Sequence, residues 1–186
     1  MKRIFGKPLI TQMEIEKRIK ELGTKITADY EGRELVMICI LKGAYVFFAD
    51  LVRNIHIPVS VDFMMVSSYG AGTSSTGAVK IISDLSEAIK DKDVLIVEDI
   101  VDSGLTLSYL YKTLRSKKPK TIKLCVLLDK LERRKYETPI DYIGFTIQTN
   151  FVIGYGLDYK DNFRNLPYIA VLDEGEAEQL LNHRER

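Results

Sequence analysis

The chain has 186 residues, of which 46% are hydrophobic and 28% charged, and its formal net charge is +1 at pH 7. This length suits one domain with a substantial core, and the near-neutral charge argues against a strongly basic nucleic-acid-binding surface. We therefore expect no nucleic-acid partner. No apolar run approaches the ~20 residues that a membrane helix needs, so we expect no membrane partner either.

The first part of the chain alternates helical and extended patterns. A capping-box pattern at Thr11–Glu14 opens a helix whose apolar residues recur at helical spacing to about Tyr30. A continuous apolar run predicts a buried strand over Leu35–Leu41, and Ala44–Ile55 has a helical pattern. Alternation over Val59–Val66 predicts the next strand.

A segment rich in Ser, Gly and Thr follows, at about 67–78. It has no apolar anchor before Val79, so it cannot support a packed core and is expected to be a linker or a mobile lid. If it is a lid, its closure over a reacting centre would exclude water.

The second half continues the alternation of strands and helices. A strand that starts at Val94 is expected to end at the adjacent acids Glu98 and Asp99, before a polar turn and a helical pattern. A polar tail follows from Glu174. Further strands are predicted over Ile122–Leu128, Ile140–Ile147, Phe151–Tyr155 and Tyr168–Leu172. This order predicts an α/β fold with a parallel sheet covered on both faces.

The segment Val94–Leu107 carries most of the functional information. Its apolar run, the acids Glu98 and Asp99, and the polar turn Asp102–Thr106 precede a helix. Ligands bind at the carboxyl ends of strands in open α/β sheets, and helix N-termini attract anions. The turn therefore offers a phosphate cradle beside two carboxylates, which would repel a phosphate unless a divalent cation intervenes or they hold hydroxyl groups.

This motif resembles the phosphoribosyl-diphosphate (PRPP) motif of type I phosphoribosyltransferases, which has an apolar strand, two acids and Asp-Ser/Thr-Gly-x-Thr. Outlying segments resemble the hypoxanthine-guanine branch of that family, in matching order across essentially the whole chain. They are Leu41–Ala44, Ser68–Tyr69, Lys130, Phe151–Tyr159 and Phe163–Tyr168. The resemblance implies one domain, 1–186, with a parallel-sheet core at about 35–130, and a small hood from the N-terminal segment and about 140–186.

The resemblance also implies a reaction and its residues. The 5-phosphoribosyl group of PRPP would pass to N9 of a 6-oxopurine, hypoxanthine and/or guanine, with Mg²⁺ as cofactor and Asp102 as catalytic base or acid. Residues expected to bind PRPP or pyrophosphate are Lys42, Gly43, Ser68, Tyr69, Glu98, Asp99, Ser103, Gly104, Leu105, Thr106 and Arg164. Residues expected to bind the purine are Lys130, Phe151, Val152 and Asp158, and the metal is expected at Glu98, Asp99 and Asp158.

Other interpretations stay open at this point. Taken alone, Lys42-Gly43 is a plain strand-to-helix turn and Lys130 a surface lysine; only their occurrence with the PRPP motif favours the enzyme. The alternatives are an RNA-binding regulator on the same fold and a transferase for another base.

The two cysteines and the family resemblance bear on compartment and assembly. Cys39 and Cys125 lie in apolar runs and in no metal-ligand spacing, so buried free thiols and a reducing cytoplasm are expected. The resemblance implies a homodimer or a homotetramer.

Overall fold

The computed structural model describes residues 5, 7–68, 79–148 and 151–182. The helices in these ranges are α1 (Gln12–Asp29), α2 (Tyr45–Arg53), α3 (Leu105–Ser116) and α4 (Glu174–Asn182), with a 3-10 turn at Leu131–Arg133. The strands are β1 (Leu35–Leu41), β2 (Val59–Ser68), β3 (Val79–Ser83), β4 (Asp93–Val101), β5 (Thr121–Asp129), β6 (Tyr142–Thr146), β7 (Val152–Ile153) and β8 (Ala170–Val171). Tyr69 and most of the predicted lid lie outside the described residues, so the lid stays a prediction.

Six strands form a mostly parallel sheet in the order β3-β2-β1-β4-β5-β6. Only β3 runs antiparallel to its neighbour, at one edge of this sheet. Strand β1 is buried along nearly its whole length, as its continuous apolar run predicts. The predicted α/β fold with a parallel-sheet core is confirmed.

Helices cover both faces of the sheet. Alternate residues of a strand point to opposite faces, so Met37 packs in the core under α1 and α2, whereas Ile38 packs in the core under α3. The capping box of α1 forms as predicted, with the Thr11 N–H donating to Glu14 Oε2 at 2.8 Å and the Glu14 N–H to Thr11 Oγ1 at 3.3 Å. Within the described ranges, no helix is both long and apolar enough to cross a bilayer.

The two ends of the chain form a separate small unit, which we call the hood: Phe5, Ile10 and residues 151–182. Strands β7 and β8 pair in a sheet of their own, and Ile10 bridges Ile169. Helix α1 packs on the main core, and β6 pairs with β5 in the main sheet. The main sheet therefore extends beyond the predicted limits of 35–130.

Strands β2, β4 and β5 run further than the sequence predicts, β5 by one residue at each end. Strand β4 does not end at Glu98 and Asp99 but continues to Val101, because its pairing with β5 carries the hydrogen-bond ladder past the acids. Strand β2 reaches Ser68 through its pairing with β3.

The two cysteines are buried free thiols, as predicted. Burial raises the pKa of Cys39 to about 12, and it also raises the pKa of Cys125. Both side chains therefore stay protonated and act as small core residues.

Candidate active site

Two adjoining cavities open where β4 and β5 end. The larger, of about 320 Å³, is lined by Asp99, Ile100, Asp102, Lys130, Phe151, Val152, Leu157 and Asp158. The smaller, of about 120 Å³, is lined by Glu98, Ile100, Val101, Asp102, Ser103, Gly104, Leu105, Thr106 and Leu107. Because the cavities share Ile100 and Asp102, the predicted purine and phosphate residues meet at one site.

The smaller cavity is built around the turn that opens α3. Gly104 has φ +81°, a left-handed conformation that favours glycine. The Leu105 N–H donates to Ser103 Oγ at 3.3 Å, and α3 begins at Leu105. The turn thus sets two hydroxyls beside the amides of a helix N-terminus, an arrangement suited to binding a phosphate.

Glu98 and Asp99 divide between the two cavities. They are successive residues of β4: Glu98 lines the smaller cavity and Asp99 the larger, and their carboxyl groups lie close enough to interact. Removal from water raises the pKa of both carboxyls, and the Asp99 charge raises the pKa of Glu98 further. A cation beside them would relieve this unfavourable arrangement of charge.

The oxygen ligands at the site suit a hard divalent cation that takes its remaining ligands from a bound substrate. Asp99 and Asp158 line one cavity and offer only oxygen ligands. Among the described residues, no group of three or more His, Cys, Asp or Glu side chains could hold a metal. Mg²⁺ needs only one or two carboxylates when substrate phosphates complete its coordination.

Gly43 lies in a narrow space between β4 and the hood. The Leu41–Lys42 peptide bond just before it is cis. A Cβ at Gly43 would stand 1.5 Å from Asp99 Oδ2, and a Cβ at Gly156 would stand 2.1 Å from the Gly43 carbonyl oxygen. The loop after β1 can therefore approach the acids and the hood only because both positions are glycine.

An acid that the sequence analysis missed joins the two expected pyrophosphate-binding cations. Asp161 Oδ1 lies 3.2 Å from Lys42 Nζ and 3.0 Å from Arg164 Nη2, and Arg164 Nη2 also lies 2.7 Å from Asp158 Oδ1. The hydrogen bonds from Arg164 and Lys42 lower the pKa of Asp161. No local pattern could have revealed this contact, since Lys42 and Asp161 are 119 positions apart.

The larger cavity, where the purine is expected, combines apolar walls with one buried cation and the three aspartates named above. Lys130 follows β5 directly, is 7% exposed and lines the larger cavity. Phe151 is 50% exposed and meets the Tyr159 ring edge-on at a centroid distance of 6.2 Å. Val152 and Leu157, the latter not predicted, add apolar walls. A flat aromatic base fits this mixture of stacking surface and positioned donor.

Comparisons with known proteins agree with this geometry. A family model described as "Phosphoribosyl transferase domain" matches residues 9–160. A Dictyostelium discoideum protein named hypoxanthine-guanine phosphoribosyltransferase is 51% identical over 170 residues, covering 89% of this chain and 94% of that relative. A Bacillus subtilis protein of the same name is 50% identical over 172 residues, covering 92% and 96%. A crystal structure of a Staphylococcus aureus hypoxanthine phosphoribosyltransferase superposes with a TM-score of 0.88 at 46% identity, covering 92% of this chain and 93% of that one.

Proposed function

The chain belongs to the phosphoribosyltransferase family, and from this premise we propose that it is a purine-salvage enzyme. It transfers the 5-phosphoribosyl group of PRPP to N9 of hypoxanthine and/or guanine and releases pyrophosphate. The observation that carries this proposal is the junction of a phosphate-binding turn with an apolar, lysine-bearing cavity. The names of the relatives are those of purine enzymes and lend no support to an RNA-binding regulator.

On the anion side, the amides and hydroxyls of Ser103–Thr106 hold the 5′-phosphate. Lys42, the Gly43 backbone and Arg164 hold the pyrophosphate group, while Glu98 and Asp99 grip the ribose hydroxyls. Ser68, the last residue of β2, and Tyr69 belong to a lid that closes over PRPP and excludes water. Support for these assignments comes from the smaller cavity, where the amides and hydroxyls of the turn lie beside Glu98, and from the adjoining larger cavity, which Asp99 lines.

On the base side, Asp102 acts as general base or acid at purine N7, and it lines both cavities. The Lys130 ammonium, which has only donors, reads the 6-oxo acceptor. Phe151 stacks on the purine, with Val152 and Asp158 at the edge of the ring. Bond breaking at the anomeric carbon develops oxocarbenium character, as in other glycosyl transfers.

Mg²⁺ is the proposed cofactor: Glu98 and Asp99 would contribute to the shell of one ion at the ribose hydroxyls, and Asp158 would serve a second ion through water, with substrate oxygens as the remaining ligands. When bound, it neutralises the charge of the pyrophosphate leaving group. The raised pKa of Glu98 and of Asp99 supports this role, because a cation stabilises the ionised carboxylates.

A direct assay tests the proposed function. Protein, PRPP and Mg²⁺ are incubated separately with hypoxanthine, guanine, xanthine, adenine, orotate or uracil, and the nucleotide formed is measured. We expect product from hypoxanthine or guanine, loss of turnover with a chelator and recovery with added Mg²⁺. Turnover only with adenine, orotate or uracil, or specific RNA binding without turnover, would contradict the proposal.

We also propose a cytoplasmic location and assembly into a homodimer or homotetramer. The two buried free thiols suit a reducing compartment. Self-association is supported by exposed apolar side chains on the outer strands β2 and β3 and at the start of α2, which we call the apolar strip. Its members are Tyr45, Val61, Phe63 and Ile82.

A further inference from the structure

The segment that follows β5, residues 130–136, connects the two halves of the candidate site. We propose that Arg134 is a positioning residue: its ion pair with Asp129 holds this segment in the shape that fixes the distance between Lys130 and the 5′-phosphate turn. The inference rests on the proposed function, because it assigns one end of the segment to the purine and the other to the phosphate.

The ion pair joins a buried carboxylate to an arginine whose side chain is 21% exposed. Arg134 Nη2 donates to Asp129 Oδ1 at 2.5 Å, and Asp129 is 0% exposed. Asp129 Oδ2 and Arg134 Nε are also buried and have no hydrogen-bond partner within the described part of the chain. A buried carboxylate that loses its cation is left as an uncompensated charge, which is strongly destabilising. The contact with Asp129 is therefore a firm anchor for the segment that carries Arg134.

The segment's first residue is fixed to the main sheet. The Lys130 N–H donates to the Val101 carbonyl oxygen at 3.0 Å, where β4 and β5 end together. The Lys130 side chain then enters the larger cavity.

The segment's last residues are fixed to the phosphate turn. The Lys135 and Tyr136 N–H groups both donate to the Ser103 carbonyl oxygen, at 3.0 and 3.1 Å. A Cβ at Gly104 would stand 2.7 Å from the Tyr136 carbonyl oxygen, so the segment and the turn pack directly against each other. Arg134 lies next to these contacts in the chain, and its pair with Asp129 ties them back to the end of β5.

A purine nucleotide has to contact Lys130 and the 5′-phosphate turn at the same time, whereas a free base or a free phosphate contacts only one of them. Loosening the segment should consequently weaken the binding of a nucleotide more than the binding of the free base or of phosphate. A purely structural ion pair would lower the thermal midpoint of unfolding without changing this ratio of affinities. The ratio therefore separates a positioning role from a merely structural one.

The test compares Arg134→Gln with wild type by titration calorimetry, using guanosine monophosphate, guanine and inorganic phosphate as the three ligands. We expect the Kd of the nucleotide to rise by about 10- to 100-fold, the usual effect of a misplaced positioning group, with smaller changes for guanine and phosphate. The matched control is Arg115→Gln, because Arg115 is an exposed arginine at the end of α3. This variant should change none of the three Kd values.

Two further variants keep the test decisive if Arg134→Gln does not fold. Arg134→Lys retains the charge and should recover part of the nucleotide affinity. The double variant Asp129→Asn/Arg134→Gln removes both charges, leaves no uncompensated carboxylate, and should still show the selective loss of nucleotide affinity. Folded variants whose three affinities match wild type would overturn the positioning role. A wild-type protein that binds no purine nucleotide would overturn the proposed function and this inference with it.

Discussion

Lys130 places a buried set of donors against the purine cavity. A 6-oxo group accepts from these donors, whereas a 6-amino group meets donor with donor, and mismatches of this kind discriminate strongly. We expect Lys130→Met to erode the preference for hypoxanthine over adenine, measured as the ratio of kcat/KM values. Phe151→Ala is the companion variant. It should weaken the binding of all purines alike, by about 1–3 kcal/mol, the range for base–aromatic stacking in single-stranded nucleic-acid complexes. An unchanged ratio in Lys130→Met would remove the lysine from the reading role.

Asp102 lines both cavities, where a proton carrier for the base would have to lie. The variant Asp102→Asn keeps the shape of the side chain but cannot take up a proton. We expect kcat to fall by about 10²- to 10⁴-fold, the usual contribution of general acid–base catalysis. Equilibrium binding of PRPP, measured by calorimetry, should stay near the wild-type value. A kcat within a few-fold of wild type would exclude Asp102 from the mechanism.

Asp161 contacts the same two cations that we assign to pyrophosphate. In Asp161→Asn these cations lose a competing carboxylate, so inorganic pyrophosphate should bind more tightly. Exposed ion pairs are worth about 0.2–1 kcal/mol, which corresponds to a change of up to about fivefold in Kd. Asp91→Asn changes the net charge equally at an exposed position and should have no effect. Weaker binding in Asp161→Asn would show that the acid orients the cations instead of competing for them.

A buried carboxylate links three central strands at their amino-terminal ends, opposite the site. Asp93, the first residue of β4, accepts from Arg33 Nε at 2.9 Å and from Thr121 Oγ1 at 2.5 Å. Arg33 precedes β1, and Thr121 begins β5. Mainly through its hydrogen bond, Arg33 lowers the pKa of Asp93. The ionised Asp93 carboxylate therefore stabilises the protein at pH values above the ordinary pKa of Asp. This stabilisation is lost as the pH falls through the lowered pKa of Asp93.

The pH dependence can be measured with Asp93→Asn. We expect the free energy of unfolding to fall by about 2–3 kcal/mol at pH 7, somewhat less than for a fully buried pair because Arg33 is partly exposed. The difference from wild type should shrink as the pH falls below about 4, where the unfolded carboxyl is protonated. Urea unfolding at a series of pH values checks this, with Asp91→Asn as the control. A difference that does not depend on pH would mean that the charge of Asp93 contributes nothing.

Local patterns predicted elements well and predicted their limits poorly. The apolar runs at Leu35 and Val94 identify β1 and β4, because a strand buried on both faces needs such a run. The end of β4 and the place of β6 depend on pairing with β5, which no local pattern encodes. The same holds in the site: the Ser103–Thr106 turn is visible as a motif, whereas the contacts of Asp161 arise only on folding.

At the scale of the whole molecule, one part of the main sheet surface is left exposed by the residues that the structure describes. Val61 and Phe63 alternate with buried residues of β2, and Phe63 is 47% exposed although it touches Phe48 at a ring distance of 5.7 Å. Exposed apolar patches of this kind mark interaction surfaces. We therefore expect Phe63→Lys to lower the mass measured by light scattering, whereas Met13→Lys, at an exposed position on α1, should not. A wild-type protein that is monomeric at micromolar concentration would contradict the proposed assembly.

The hood has a small core of its own, separate from the two cores on the main sheet. Its buried members are Phe5, Ile153, Phe163, Leu166, Ala170 and Ala177. Other hood residues pack in a core of the main sheet, namely Ile10, Val152, Tyr155, Leu157 and Ile169. The part of the hood that depends on its own small core has fewer buried neighbours than the sheet, so we expect its amides to exchange with deuterium sooner. Because Phe151, Val152 and Asp158 belong to the hood, each opening also removes one wall of the purine cavity. We therefore expect release of the nucleotide to require this opening, so that product release and not bond making limits turnover.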